Sequence, residues 1–276
     1  MKSSRTKKIG VFDSGFGGLD ILRGIEGKLG DYEYIFLADS ARAPYGNRSH
    51  DKILEFTTEA VDFLFEKGCE LVILACNTAS SDALHKIQSE YLPKKHPNKR
   101  VLGVLIPAVE EAVKVTKNKK IGVIATLATV KSEAFVDEFR KIDSKIKVYQ
   151  NACPLLVPIV EYDEINNPAT QIVLQNYLKP LLSKKIDTLV LGCTHYGLLE
   201  KKIKKIVGPN VKIISEARVV PSKLENYLKR HTDIEQKISL NAKITFYSTD
   251  MTQNFQKLGS RFFGRNISSE KVTKLV

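Results

Sequence analysis

Two stretches of similar pattern, 117 residues apart, constrain the fold of this chain more than any other feature. In residues 188–199 (TLVLGCTHYGLL) an apolar run ends at Cys193, and in residues 70–80 (ELVILACNTAS) one ends at Cys76. Polar side chains follow each cysteine directly. An apolar run of this length indicates a buried strand, and ligands of α/β sheets bind beyond the carboxyl ends of the strands. The pattern therefore predicts two strand-end thiols that face a crevice.

A second pair of stretches extends this parallel toward the amino terminus. Residues 9–18 (IGVFDSGFGG) resemble residues 121–130 (IGVIATLATV), and the two begin 67 and 72 residues before Cys76 and Cys193. Similar motifs in the same order at a nearly constant offset predict two related halves, each with one strand-end cysteine. We therefore expect an α/β fold of two similar domains with mainly parallel sheets.

Composition places the chain among ordinary globular proteins. Of its 276 residues, 43% are hydrophobic and 27% are charged, and no apolar run reaches the roughly 18 residues of a membrane span. The basic amino terminus passes straight into an apolar, strand-like run without the apolar core of a signal peptide. A cytoplasmic location away from the membrane is the expectation.

The four cysteines are too few and too irregularly spaced for a disulfide framework, and no CxxC pair indicates a metal site. A lone cysteine is usually a small buried hydrophobe, and Cys69 and Cys153 are interpreted in this way. The polar residues after Cys76 and Cys193 favour a chemical role for these two instead.

The net charge of +12 raises the question of a nucleic-acid partner. Lysines cluster at residues 94–100, 117–120 and 201–205, without interleaved aromatic residues or a nucleic-acid-binding motif. Solvated loops and helix faces account for such clusters, so no nucleic-acid partner is expected. A basic nucleic-acid-binding regulatory protein remains the alternative of a different class.

Polar residues at other predicted strand ends are candidates for ligand contacts. Asp13 follows the first strand in a glycine-rich turn that lacks the GxGxxG spacing of a dinucleotide site, and its carboxylate suits an ammonium or a neighbouring thiol. The Pro-Tyr-Gly loop that holds Tyr45 and Gly46 can present backbone donors to a carboxylate. Asn77 and Thr78 offer amide, hydroxyl and helix-start N–H groups for the same purpose.

Taken together, five motifs resemble glutamate racemase, a cofactor-independent member of the aspartate/glutamate racemase superfamily. The motifs are DSGFGG (13–18), DSARAPYG (39–46), ACNTAS (75–80), CPLLVPIVE (153–161) and LGCTHYGLL (191–199). The resemblance implies racemization of glutamate without a cofactor, D-glutamate supplied to peptidoglycan, a homodimer, and an active site in a cleft between two pseudo-twofold-related domains.

The same resemblance assigns roles to residues of these motifs. Cys76 would take the proton from D-glutamate and Cys193 from L-glutamate, because two thiols can serve as base and acid on opposite faces of Cα. Catalytic roles fall on Cys76, Cys193, Asp13, His195 and Glu161. Substrate-binding roles fall on Asp13, Ser14, Tyr45, Gly46, Asn77, Thr78, Thr194 and His195. Thr126 joins them because it stands at the tip of the predicted strand that begins at Ile121, although a threonine at a helix start is more often a cap.

Within the enzymes, an aspartate racemase or another racemase of the superfamily would share the two-cysteine plan. The CTHY sequence that begins at Cys193 points to glutamate. A thiol hydrolase would need only one cysteine with a base and an oxyanion hole, which leaves the second cysteine unexplained.

The polar stretch 92–100 is the best domain boundary in the sequence. The expected domains are residues 1–99 with 212–276, and residues 100–211. Strands predicted at 101–106 and 211–215 thus fall in the second and first domain, respectively. Two departures from the resembled family remain: Gly197 stands where proline is usual, and residues 214–220 match poorly and receive no role.

Overall fold

The computed structural model describes residues 5–250, 253–268, 270–271 and 275. The described strands are β1 (Lys8–Asp13), β2 (Tyr34–Ala38), β3 (Cys69–Leu74), β4 (Arg100–Gly103), β5 (Lys120–Ala125), β6 (Lys147–Ala152), β7 (Thr188–Gly192), β8 (Lys212–Ile214), β9 (Ile244–Ser248) and β10 (Glu270–Lys271).

Helices connect these strands and cover the sheets. The described α-helices are α1 (Gly18–Leu29), α2 (His50–Glu66), α3 (Asn77–Asp82), α4 (Leu84–Lys86), α5 (Leu92–Lys95), α6 (Leu105–Val115), α7 (Leu127–Lys131), α8 (Ala134–Ile142), α9 (Leu156–Glu161), α10 (Pro168–Leu182), α11 (Glu200–Val207), α12 (Glu216–Arg230), α13 (Thr232–Glu235) and α14 (Gln253–Phe263). Tighter 3₁₀ turns lie at Tyr45–Asn47, Glu164–Asn166 and Thr194–Leu199, and a π-helical turn lies at Ile87–Tyr91.

The described strands form two sheets, and every pair of neighbours within them is parallel. One sheet has the order β10-β9-β2-β1-β3-β4 and the other has the order β6-β5-β7-β8. The expected α/β class with parallel sheets is confirmed. The run β2-β1-β3-β4 corresponds strand for strand to β6-β5-β7-β8, so the strands that precede Cys76 and Cys193, β3 and β7, occupy equivalent positions.

Two strand assignments made from the sequence are wrong. The strand expected at residues 101–106 is β4, which pairs with β3 in the six-stranded sheet rather than belonging to the second half. The strand expected at residues 211–215 is β8, which pairs with β7 in the four-stranded sheet. Both are short edge strands, whose sheet is decided by the neighbour they meet in space rather than by their own sequence. The division into two domains itself stays a prediction.

Local sequence explains several element boundaries. Helix α2 ends just before Gly68, whose φ of +91° is a left-handed conformation that side chains other than glycine rarely adopt. Helix α7 is capped by Thr126, whose Oγ1 accepts from the Thr129 N–H at 3.3 Å. Helix α10 begins with Asn167 as its cap and proline in its first turn.

The core ties the two sheets together. The largest cluster of buried apolar side chains includes Val11 of β1 and Leu191 of β7, as well as Leu156 of α9. Burial of apolar surface in a shared cluster fixes the two sheets relative to each other. No helix in the described part of the chain is long and apolar enough to cross a membrane.

This topology gathers the carboxyl ends of four central strands. Asp13 is the last residue of β1 and Cys76 follows β3, whereas Thr126 directly follows β5 and Cys193 directly follows β7. Since β1 pairs with β3 and β5 pairs with β7, Asp13 and Cys76 lie at adjacent strand ends of one sheet. Thr126 and Cys193 lie at adjacent strand ends of the other sheet.

Candidate active site

The strand ends open into one cavity of about 230 Å³, which both Cys76 and Cys193 line. Cys76 follows a strand of the six-stranded sheet and Cys193 follows a strand of the four-stranded sheet, so both sheets contribute a cysteine to the cavity. Of the residues predicted for the site, those that line this cavity are Ser14, Tyr45, Gly46, Cys76, Asn77, Thr78, Thr126, Glu161, Cys193, Thr194 and His195. Asp13 is the exception, because it is fully buried beneath the cavity wall.

Cys76 lies between β3 and α3 with its thiol almost fully buried. Its Sγ is 3.2 Å from Ser14 Oγ, a hydrogen bond in which either atom can donate. Burial raises the pKa of the Cys76 thiol to about 11, and the negative charge of Asp13 adds to the rise. Burial thus favours the protonated form of this thiol.

Cys193 is equally buried, and burial raises the pKa of its thiol well above the ordinary value. A backbone hydrogen bond from His195 opposes this rise, while the thiol of Cys76 adds to it. The His195 Nδ1 atom lies 4.0 Å from Cys193 Sγ. The imidazole is therefore the nearest ring that can exchange a proton with this thiol.

His195 is held on its far side by an acid and an aromatic ring. Its Nε2 lies 2.9 Å from Glu161 Oε1, and its ring meets the Phe262 ring edge-on at a centroid distance of 5.4 Å. The turn that carries it is fixed by Tyr196, whose hydroxyl donates to the Cys153 carbonyl at 3.0 Å. These contacts orient Nδ1 toward Cys193.

Asp13 connects the two sides of the site. Its Oδ2 accepts from the Gly15 N–H at 2.9 Å, and its Oδ1 accepts from the Thr194 hydroxyl at 3.5 Å. Burial raises the pKa of Asp13, while the charge of His195 and backbone hydrogen bonds lower it. A carboxylate whose pKa is raised toward that of a thiol is a stronger base for that thiol.

A cluster of threonine hydroxyls forms another wall of the cavity. Thr78 Oγ1 lies 3.0 Å from Thr126 Oγ1 and 3.4 Å from Thr129 Oγ1, so the two halves meet here through polar groups. Next to it, a Cβ placed on Gly46 would fall 2.8 Å from Thr126 Cβ. Glycine at position 46 therefore allows the loop to approach the threonines.

Sequence reasoning missed two buried carboxyl groups that support the site. Asp39 accepts from the Tyr45 hydroxyl, from Arg42 Nε at 2.7 Å and from Thr249 Oγ1 at 2.9 Å, and so fixes the Tyr45 loop. Glu216 accepts from Asn77 Nδ2 at 2.7 Å. Asp39 belongs to the DSARAPYG motif and could have been noticed, whereas the segment around Glu216 carried no signal.

Cys153 was interpreted as a buried hydrophobe. It is fully buried, and its thiol contacts the Asn151 carbonyl at 3.5 Å, although it also lines the cavity. Within the described ranges, no group of three or more His, Cys, Asp or Glu side chains is arranged to hold a metal ion.

The fold and the comparisons with known proteins define an α/β enzyme of the amino-acid racemase class. The family described as Asp/Glu/Hydantoin racemase matches residues 10–220. The chain is 40% identical to the glutamate racemase of Aquifex pyrophilus over 260 aligned residues. The alignment covers 94% of this chain and 95% of the relative. The chain is 38% identical over 265 residues to that of Sulfurihydrogenibium sp., with 96% of each chain covered.

Solved structures give the same result. The glutamate racemase isoform RacE1 from Bacillus anthracis superposes with a TM-score of 0.89 at 34% identity, covering 97% of this chain and 98% of the other. The Francisella tularensis glutamate racemase in complex with D-glutamate superposes with a TM-score of 0.87 at 31% identity, with 98% of each chain covered. The chain belongs to the Asp/Glu/Hydantoin racemase family, and its resemblance to glutamate racemase is confirmed.

Proposed function

We propose that this protein interconverts L- and D-glutamate without a cofactor, with Cys76 and Cys193 as the two acid-base groups. The observation that carries the proposal is the cavity of about 230 Å³ that is lined both by Cys76, which follows a strand of the six-stranded sheet, and by Cys193, which follows a strand of the four-stranded sheet. The relatives and solved structures that cover nearly the whole chain are named glutamate racemases, which supports glutamate as the substrate.

Each turnover removes one proton from Cα and adds one proton to its opposite face. A thiolate removes the Cα proton and becomes a thiol, and the electron pair stays on the substrate. The opposite thiol then donates its proton to the other face of Cα and becomes a thiolate. The pair ends with the same number of protons, so the reverse reaction uses the same groups with exchanged roles.

Formation of the first thiolate needs help, because burial raises the pKa of both thiols. Asp13 supplies a carboxylate of raised pKa beside Cys76. His195, held by Glu161, supplies an imidazole beside Cys193. The ammonium group of a bound amino acid adds a positive charge, which lowers the pKa of both thiols.

The polar groups that line the cavity suit the two carboxylates and the ammonium of glutamate. Ser14, Thr78, Thr126 and Thr194 offer hydroxyl groups, and Asn77 offers an amide. The loop with Tyr45 and Gly46 adds backbone donors. These residues would orient the substrate with Cα between the thiols.

At the cellular level, the proposal is a cytoplasmic enzyme, acting as a homodimer, that supplies D-glutamate for peptidoglycan. The net charge of +12 is incidental in this scheme. Binding to DNA that lacks sequence preference and disappears at moderate salt would agree with that view. Sedimentation of the purified protein measures its subunit number directly.

Circular dichroism tests the reaction. Purified protein freed of pyridoxal phosphate is incubated with L-glutamate, and in parallel with L-aspartate. We expect the optical signal of L-glutamate to decay to zero and that of L-aspartate to persist. Decay of the L-aspartate signal alone would make the protein an aspartate racemase, and no decay with either would overturn the proposal.

A further inference from the structure

A second, much smaller cavity also borders Cys193. Its volume is about 10 Å³, and its lining residues include Cys193, Asp20, Gly197 and Glu216. Gly197 stands where the resembled family usually has proline, and Glu216 lies in residues 214–220, which resemble that family poorly. The structure brings both departures to one point beside a proposed acid-base group.

Gly197 lies close to the carboxyl group of Asp20. A Cβ placed on Gly197 would fall 2.6 Å from Asp20 Oδ2. Asp20 is buried and forms an ion pair with Arg23, which restricts its movement. A residue with a Cβ, proline included, would displace this carboxyl group, so glycine at position 197 makes room for it.

Glu216 is the first residue of α12 and is 3% exposed. Its Oε2 accepts from Asn77 Nδ2 at 2.7 Å. Its Oε1 has no hydrogen-bond partner, and within the described part of the chain no lysine, arginine or histidine pairs with it. Glu216 is thus a buried carboxyl group without a counter-ion.

The elements packed against α12 place mainly acidic groups around this position. Asp13 lies at the end of β1 and Cys193 follows β7. The other titratable or charged groups near the cavity are Asp20 and Arg23 on α1, His195 and Tyr196 in the turn after Cys193, Arg218 on α12 and Glu200 on α11. Arg23 pairs with Asp20 and Arg218 pairs with Glu200, which leaves neither arginine for Glu216.

We propose that Glu216 is a positioning residue for the racemase reaction: a neutral carboxylic acid that holds the side chain of Asn77 in place from behind the substrate cavity. This inference rests on the proposed function. A buried carboxylate with no counter-ion and with other acids nearby is strongly disfavoured relative to the protonated acid. In agreement, burial raises the pKa of Glu216 well above its usual range, and Asp13 adds to the rise.

Neutral Glu216 serves the site in two ways. It fixes the amide nitrogen of Asn77, a residue that lines the substrate cavity. It also keeps a further negative charge away from Cys193, because an ionised Glu216 would raise the pKa of that thiol.

The test compares Glu216→Gln with Glu216→Ala. Glutamine keeps an oxygen that can accept from Asn77 Nδ2 and is neutral at every pH, so kcat and KM should stay within about twofold of the parent at pH 7. Alanine removes the oxygen that accepts from Asn77 Nδ2. The kcat/KM should therefore fall roughly ten- to a hundredfold, mainly because KM rises. Glu225→Gln, which breaks ion pairs near the surface of the same helix, is the matched control and should leave both constants unchanged.

The pH profile separates the neutral acid from a carboxylate. If Glu216 works as the neutral acid, the ratio of parent to Glu216→Gln in kcat/KM stays flat or falls as the pH rises, because only the parent can ionise. A ratio that rises with pH would show that the ionised form is the active one and would overturn the proposal. Loss of activity in Glu216→Gln as large as in Glu216→Ala at pH 7 would overturn it as well.

Infrared spectroscopy adds a readout that does not depend on turnover or on the folding of the alanine variant. The difference spectrum between the parent and Glu216→Gln at pH 7 should contain the carbonyl stretch of a protonated carboxyl group. Its absence would contradict a neutral Glu216. A parent that racemizes neither enantiomer would overturn the proposed function, whereas an active parent with a folded, fully active Glu216→Ala would overturn this inference alone.

Discussion

Gly17 and Thr194 are in direct contact across the two halves of the site. A Cβ placed on Gly17 would collide with Thr194 Oγ1, and would fall 2.6 Å from Thr194 Cβ and 2.9 Å from the His195 backbone nitrogen. The residues after Cys193 therefore rest against the turn after β1. This contact sets how far apart the two thiol-bearing walls can lie.

Gly17→Ala should lower kcat/KM by roughly a hundredfold, because the backbone of His195 must move away and misplaced groups cost about this much. Gly27→Ala is the matched control. It lies in the adjoining helix α1 with nothing within 4 Å of the added Cβ, and it should raise the free energy of unfolding by about 0.4–1 kcal/mol without changing kcat/KM. Racemization assays and denaturant unfolding measure both effects.

Parent-like activity in Gly17→Ala would show that the two walls can separate without loss. In that case the proposed dependence of the reaction on their spacing is wrong.

Cys76→Ser and Cys193→Ser should each lower racemization by orders of magnitude, since a hydroxyl is a far poorer base than a thiol. Racemization alone cannot assign the faces, because enantiomers have equal free energy and kcat/KM must be the same in both directions. Elimination from a glutamate analogue with a leaving group on the β-carbon needs only one base. Cys193→Ser should retain elimination from the D analogue and lose it from the L analogue, and Cys76→Ser should do the reverse.

Equal losses with both enantiomers in both serine variants would mean that one base serves both faces. Full racemization in either variant would remove that cysteine from the mechanism.

The kcat/KM of the parent should rise with pH from 7 to beyond 9, because this constant reports ionisation in the free enzyme. The pKa of the Cys76 thiol is raised to about 11, so at pH 8 only about one molecule in 10³ carries this thiolate. The rise should thus continue past the ordinary thiol pKa of about 8.5. A plateau from pH 7 upward would contradict this prediction and indicate that Asp13 takes the thiol proton before the substrate binds.

Tyr45→Phe should raise KM for glutamate several-fold with little change in kcat, because the Tyr45 hydroxyl donates to buried Asp39 and thereby fixes a loop of the cavity wall. The magnitude follows from the roughly 0.5–1.5 kcal/mol that one hydrogen bond contributes. Tyr32→Phe, which removes a comparable hydrogen bond to Glu235 at 2.9 Å, should leave KM unchanged. Equal changes in the two variants would mean that the Tyr45 effect is not specific to the cavity.

The sequence by itself determined the parallel α/β class and the residues at the strand tips. Apolar runs that end at Cys76 and Cys193 are local patterns, and parallel strands bring their carboxyl ends to one edge. For this reason nearly all the residues expected in the site do line one cavity. Asp13 differs because packing of the turn after β1 buries it completely.

Only the tertiary structure decided the sheets of the short edge strands β4 and β8, since a strand of three or four residues pairs with whichever edge its neighbours present. The same holds for Glu216, which meets Asn77 across 139 residues of sequence. A glutamate at the start of a helix is usually solvated, and its burial here comes from the packing of α12 against α1. The environment that keeps such a carboxyl group neutral is created by residues distant in the sequence, so it cannot be predicted from the residues next to Glu216.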